Sequence, residues 1–194
     1  MSWLATRLAT LLPQTPAALR GQLAACARPV QLDKGQPLLR AGTRWRHLWL
    51  LESGALRLYY LDRHGAEWNK NFAFEGQALW PLTPTLRDGP ADFFIAALEP
   101  ARLHALAMDN IQPLLAGQPD WQLLQQQALQ QLLDEKLWRE HLFLQCDAAS
   151  RYRALRAARP AWCERIPLRH QASWLGITDV SLSRLRAAWP PASP

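Results

Sequence analysis

The chain has 194 residues, a hydrophobic fraction of 49%, a charged fraction of 20% and ten tryptophans, a composition too apolar for disorder and sufficient for a sensor-sized core joined to a smaller module. No run of about 18 apolar residues is present, and the stretch from Met1 to Leu12 lacks a secretory pattern, so no membrane-spanning helix and a cytoplasmic location are expected. The net charge of +6 is segregated: fourteen basic residues balance fourteen acidic ones up to Asp147, whereas eight arginines face only Glu164 and Asp179 from Ala148 onward.

In chain order, Trp3, Leu4, Leu8, Leu11 and Leu12 recur at helical spacing until Pro13, and a second short helix is expected from Pro16 to Ala25. From Val30 to about Leu106, short apolar runs alternate with turn residues at Gly35, Gly42, Ser53-Gly54, Asp62 to Gly65, Gly76 and Asp88 to Pro90. That spacing predicts an antiparallel sandwich or barrel. Within it, His47–Leu51 and Leu56–Leu61 around Glu52 to Ala55 read as a hairpin, and Phe93–Leu98 with Leu103–Ala107 as another pair.

Helix resumes at Asp109 and, after Pro119, runs from Asp120 to about Leu144. Trp121, Leu124, Ala128 and Leu132 form one apolar track, and Leu123, Leu129, Leu133, Leu137 and Leu144 form another. One track suits the helix's own domain and the other a partner copy, which predicts a dimerisation helix; burial of both tracks inside one domain is the alternative. Asp147 is the expected N-cap of a helix from Ala148 to Ala158, ending before Pro160.

The last segment carries the most specific pattern. Leu168–Leu175 reads as a helix, Gly176-Ile177-Thr178 as a turn, and Val180–Ala188 as a second helix capped by Thr178. Small Ala172 permits close approach of the two helices, and Ile177, Leu182 and Leu185 face a small core. Ser181, Ser183 and Arg184 remain outward, as a groove-reading helix requires. Arg151, Arg153, Arg156, Arg159, Arg165, Arg169, Arg184 and Arg186 supply planar forks suited to phosphate oxygens.

The string from Ala172 to Arg186 resembles the DNA-reading motif of the Crp/Fnr regulators. Lys34-Gly35-Gln36, Arg40-Ala41-Gly42, Leu48–Leu51, Ser53 to Arg57 and Asp62 to Gly65 are similar to the same family's β-roll. The resemblance implies an α+β fold in three parts: a β-roll sensor with N-terminal helices over residues 1–118, a dimerisation helix over 119–146 and a helix-turn-helix domain over 147–194. It implies a sequence-specific, non-enzymatic regulator, with double-stranded DNA, a second copy of the chain and RNA polymerase as partners, and a small-molecule effector that is unidentified or absent. Asp179, Val180, Ser181 and Arg184 match the base-contacting stretch, with Arg184 the expected bidentate partner of guanine; Thr178 and Ser183 are further DNA-binding candidates, and Arg169, His170 and Arg186 are expected at phosphates.

Two departures stand inside this resemblance. Gln171 occupies a position where the family buries an aliphatic side chain, and Pro194 follows soon after the second helix, so a sensor whose shortened C-terminal module contacts a protein instead of DNA is the alternative function. Where cyclic-AMP-binding members carry a Gly-Glu pair and an Arg-Ser or Arg-Thr pair, this chain has Trp80-Pro81 and Pro90-Ala91. A phosphate without its arginine forgoes a charge-assisted bond worth roughly 1.5 to 3 kcal/mol, so binding of cyclic AMP is not expected. Gly76, Trp80 and Arg87 are the remaining candidates around an effector.

No cofactor or metal is expected. Cys26, Cys146 and Cys163 lie far apart without a CxxC pattern, and His141 with Cys146 has unsuitable spacing for a shared metal. His64 and His104 are the candidate haem ligands, and both read more naturally as surface residues. No Gly-rich phosphate loop, nucleophile elbow or paired carboxylate signals an enzyme, and Glu67, Glu75 and Asp92 read as turn and surface residues.

Overall fold

The computed structural model describes residues 2–188, so residues 189–194 of the expected helix-turn-helix domain lie outside the described residues. Two compact units result: Met1–Leu58 with Phe72–Gln131, and Tyr59–Asn71 with Leu132–Pro194.

The first unit is built on two four-stranded sheets. One has the order β1 (Arg28–Leu32), β8 (Ala101–Ala107), β3 (His47–Ser53), β6 (Ala78–Leu79). The other has the order β2 (Pro37–Leu39), β7 (Phe94–Ala97), β4 (Leu56–Leu61), β5 (Glu67–Ala73), the last two strands continuing into the second unit. Antiparallel registers pair Val30 with Leu103 and Leu50 with His104.

β3 is apolar on both faces because both faces are covered. Trp49 and Leu51 join Leu56, Phe93, Ile95 and Leu103 in the interior of the roll. Leu48 and Leu50 point the other way, into a layer formed by helices α1 (Trp3–Leu11), α2 (Ala17–Cys26) and α4 (Met108–Leu115). A strand buried on both sides reads as a continuous apolar run, which is why His47 to Leu51 lacks alternation.

Both expected hairpins need correction. β3 and β4 lie in different sheets, as do β7 and β8, so neither pair is hydrogen-bonded edge to edge. The two connections instead carry the chain from sheet to sheet, side by side: the Leu98 N–H donates to the Ala55 carbonyl at 2.8 Å. Gly54 makes this crossing possible. Its φ is +92°, and a Cβ there would stand 2.5 Å from the Pro100 carbonyl oxygen.

α5 (Pro119–Gln145) begins on a polar anchor that the sequence reading did not single out. Buried Asp120 accepts from the Gln14 N–H (2.7 Å), the Thr15 N–H (2.6 Å) and the Thr15 hydroxyl (2.9 Å), tying the link between α1 and α2 to the start of the helix. The two leucine tracks separate as expected. Trp121 is buried and Leu124 and Ala128 pack on the core, while Leu123, Leu133, Leu137 and Leu144 are 51%, 57%, 54% and 70% exposed.

Candidate nucleic-acid interface

The C-terminal helices are α6 (Ala148–Ala158), α7 (Pro160–Arg165), α8 (Leu168–Leu175) and α9 (Asp179–Ala188). Asp147 caps α6 as expected, accepting from the Ser150 N–H at 2.8 Å, and that bond holds its carboxyl below the usual range. α7 is additional to the sequence reading; Pro160 sits in its first turn, where a missing N–H costs nothing. Tyr152, Leu155, Trp162, Ile166, Ala172, Trp174, Leu175 and Leu182 are the buried apolar side chains of this region.

Gln171 explains its own departure from the aliphatic pattern. It is 1% exposed, and its Nε2 donates to the carbonyls of Ile166 (2.6 Å) and Cys163 (3.2 Å) at the end of α7. The side chain satisfies helix-terminal acceptors that an aliphatic residue would leave bare. Burial also pushes the Cys163 thiol up, away from the reactive thiolate.

Between α8 and α9, Gly176 takes the left-handed conformation at φ +68°, and a Cβ there would meet the Phe143 ring at 2.6 Å. Thr178 then caps α9: its Oγ1 accepts from the Ser181 N–H at 3.1 Å. Asp179 accepts from the Val180 N–H at 2.9 Å and is exposed with Val180, Ser181, Ser183 and Arg184. All five are exposed, Val180 and Arg184 lie on the side of α9 away from buried Leu182, and Arg184 has no side-chain bond or ion pair among the described residues.

The expected phosphate contacts divide. Arg169 is exposed on α8, whereas Arg186 is half-buried and close enough to Tyr152 and Cys163 to influence both. His170 is buried at 6% exposure, its Nδ1 lying 3.2 Å from Asn69 Nδ2, so its ring is not presented to a phosphate in this conformation. Nor do all the arginines stand free: Arg151, Arg156 and Arg159 lie over Phe143, Tyr152 and Trp162, and Arg159 also pairs with Glu135 at 2.8 Å.

Asn69 belongs to the β4–β5 hairpin, which packs within this unit. The Asn69 N–H donates to Ser173 Oγ (2.9 Å), and that hydroxyl donates to the Glu67 carbonyl (3.0 Å). Arg139 of α5 closes the arrangement, donating to the carbonyls of Lys70 (3.1 Å), Asn69 (3.2 Å) and Trp174 (3.0 Å) while lying over the Phe143 and Trp174 rings. Sequence reasoning missed Asn69, Arg139 and Ser173, because isolated polar residues on a strand and two helices carry no periodic signal.

In the roll, the three effector candidates have different surroundings. Trp80 is buried against Trp121 with ring centres 5.6 Å apart, and Gly76 sits in a turn with φ +79°. Arg87 ends the short helix α3 (Pro84–Asp88) and donates to the Leu82 carbonyl at 3.1 Å. Inside the roll, Trp45 stacks on Trp49 at 5.1 Å and meets Phe93 edge-on at 6.1 Å. Among the described residues there is no group of three or more metal-ligating side chains and no helix long and apolar enough to cross a membrane.

No family model and no curated protein matches the chain. Its fold does match solved structures. A CooA mutant from Carboxydothermus hydrogenoformans is 20% identical with a TM-score of 0.68, covering 91% of this chain and 79% of its own. The c-di-GMP-responsive global regulator CLP of Xanthomonas campestris is 11% identical with a TM-score of 0.70, covering 89% and 91%. A regulator described as Crp/Fnr family from Eubacterium rectale is 14% identical with a TM-score of 0.70, covering 92% and 85%. The chain therefore has a Crp/Fnr-like α+β fold.

Proposed function

We propose that this chain, a Crp/Fnr-like roll continued by a long helix into a helix-turn-helix, is a cytoplasmic, sequence-specific DNA-binding transcription regulator and not an enzyme. The observation that carries the reading is the solvent face of α9, where Val180, Ser181, Ser183 and Arg184 stand exposed behind a capped N-terminus. Arg184 would address a guanine edge, and Arg169 a phosphate.

A homodimer follows from α5. Leu123, Leu133, Leu137 and Leu144 occupy core positions of one heptad frame, and Gln126, Gln130 and Glu140 complete it. Leucines supply buried area to a paired helix, and polar residues at the same seam fix its register. Two recognition helices would then meet successive major grooves, with RNA polymerase a further partner. An effector, where one exists, would act by population shift between dimer geometries, and cyclic AMP is not that effector.

The test is DNA binding by the full chain across salt concentrations, followed by Arg184→Ala on a selected site. Affinity is expected to fall steeply with salt, and the substitution to remove about 1 to 3 kcal/mol of specific binding with less effect on non-specific DNA. No binding to any duplex at about 50 mM salt would overturn the reading and favour a protein partner for the C-terminal module.

A further inference from the structure

The first unit carries a second feature unrelated to the reading head. A cleft of about 320 Å³ opens between the approach to β3, the end of α3 and the start of α4. That volume lies at the lower end of the range for small-molecule pockets. Its lining includes Arg44 and Arg46 from one segment, Arg87 and Asp88 from the second, and Asp109 from the third, with Trp45 also in the wall.

Three properties of this lining point to a ligand. None of the five charged residues is in an ion pair among the described residues, so three guanidinium groups and two carboxylates surround the cleft with a surplus of one positive charge. The cations come from separate segments, so their convergence is tertiary and not a run of basic sequence. Finally, Trp45 is 6% exposed and its indole Nε1 has no hydrogen-bond partner. An indole nitrogen can only donate, and a buried donor without an acceptor costs about 1 to 3 kcal/mol.

We propose that this cleft binds a small metabolite bearing an oxyanion, phosphate or carboxylate, held by the guanidinium forks of Arg44, Arg46 and Arg87, with the Trp45 indole N–H donating to one of its oxygens. Arginine pairs with either oxyanion through two parallel bonds. Asp88 and Asp109 suit hydroxyl or amine donors elsewhere on the same molecule, and they select against a bare polyanion. Asp109 lies in the first turn of α4, which only three intervening residues separate from α5, so an occupant touches the segment that leads into the long helix.

The experiment is a nitrogen-15 NMR titration of the full chain with sodium phosphate and, separately, sodium malonate, each against sodium chloride at matched ionic strength. The Trp45 indole resonance, assigned by triple-resonance connectivity, is expected to move along a saturable curve with at least one of the two anions, and which anion wins identifies the class. Arg46→Ala/Arg87→Ala, at exposed positions, is expected to weaken that binding at least tenfold while leaving the rest of the spectrum dispersed. An unmoved indole resonance, a response equalled by chloride, or identical curves for wild type and the double variant would each overturn the assignment. No outcome depends on whether the chain binds DNA.

Discussion

The interior of the roll and the contact surface inside the second unit are held together in different ways. In the roll, Leu51, Leu56, Phe93, Ile95 and Leu103 are almost fully buried against one another, so non-directional burial does most of the work. Where the β4–β5 hairpin meets α5 and α8, the contacts include Asn69 to His170, Asn69 to Ser173, Asn71 to Glu135, and Arg139 to three carbonyls. A packed core tolerates substitution of one apolar residue for another of similar volume. A polar junction depends on each donor finding its acceptor.

The contrast can be broken most forcefully at Phe93. Phe93→Ala should cost about 3 to 5 kcal/mol in urea unfolding of the roll, the usual penalty for emptying a buried aromatic site. A loss below 1 kcal/mol would mean that packing is not what sustains this unit. Arg139→Ala should cost less, about 1.5 to 3 kcal/mol, because charged hydrogen bonds are lost but their carbonyls can be rehydrated. Hydrogen exchange should show faster amides in both Glu67–Asn71 and the end of α8; Arg139→Lys should restore little, since one ammonium cannot span three acceptors. If exchange rises on only one side, Arg139 does not join them.

The smallest effect sharpens the comparison from the roll side. Burial, and then Arg28, hold the His47 imidazole below its ordinary value, against the opposing pull of Asp109. Between about pH 6.5 and that lower value the unfolded chain binds the extra proton, so stability rises with pH across this window and falls as acid is added. His47→Gln should flatten that portion of the thermal-midpoint profile; an unchanged slope would assign it elsewhere.

How much of this was legible in the sequence follows the same division. The leucine tracks of α5, the caps at Asp147 and Thr178 and the glycine at 176 were readable because each is a local pattern with a local cause. The pairing of strands was not: Glu52 to Ala55 resembles a hairpin turn, but the Gly54 crossing exists only because Pro100 and Ala101 pass beside it. At the candidate site, the exposed face of α9 followed from spacing, whereas the burial of His170 depends on Asn69, 101 positions away. Gln171 was visible in advance only as an amide where an aliphatic residue is usual; its partners, the Ile166 and Cys163 carbonyls, were not.

Arg139 has a further consequence. All three of its hydrogen-bond acceptors are main-chain oxygens, and its remaining neighbours include two aromatic rings. None of these acceptors gains or loses a proton from roughly pH 4 to 9, unlike the Glu135 carboxylate that partners Arg159. The fastening of hairpin to helix by this side chain is consequently deaf to acidity, while the neighbouring Asn71–Glu135 bond between the same two elements ends on a group that can take up a proton.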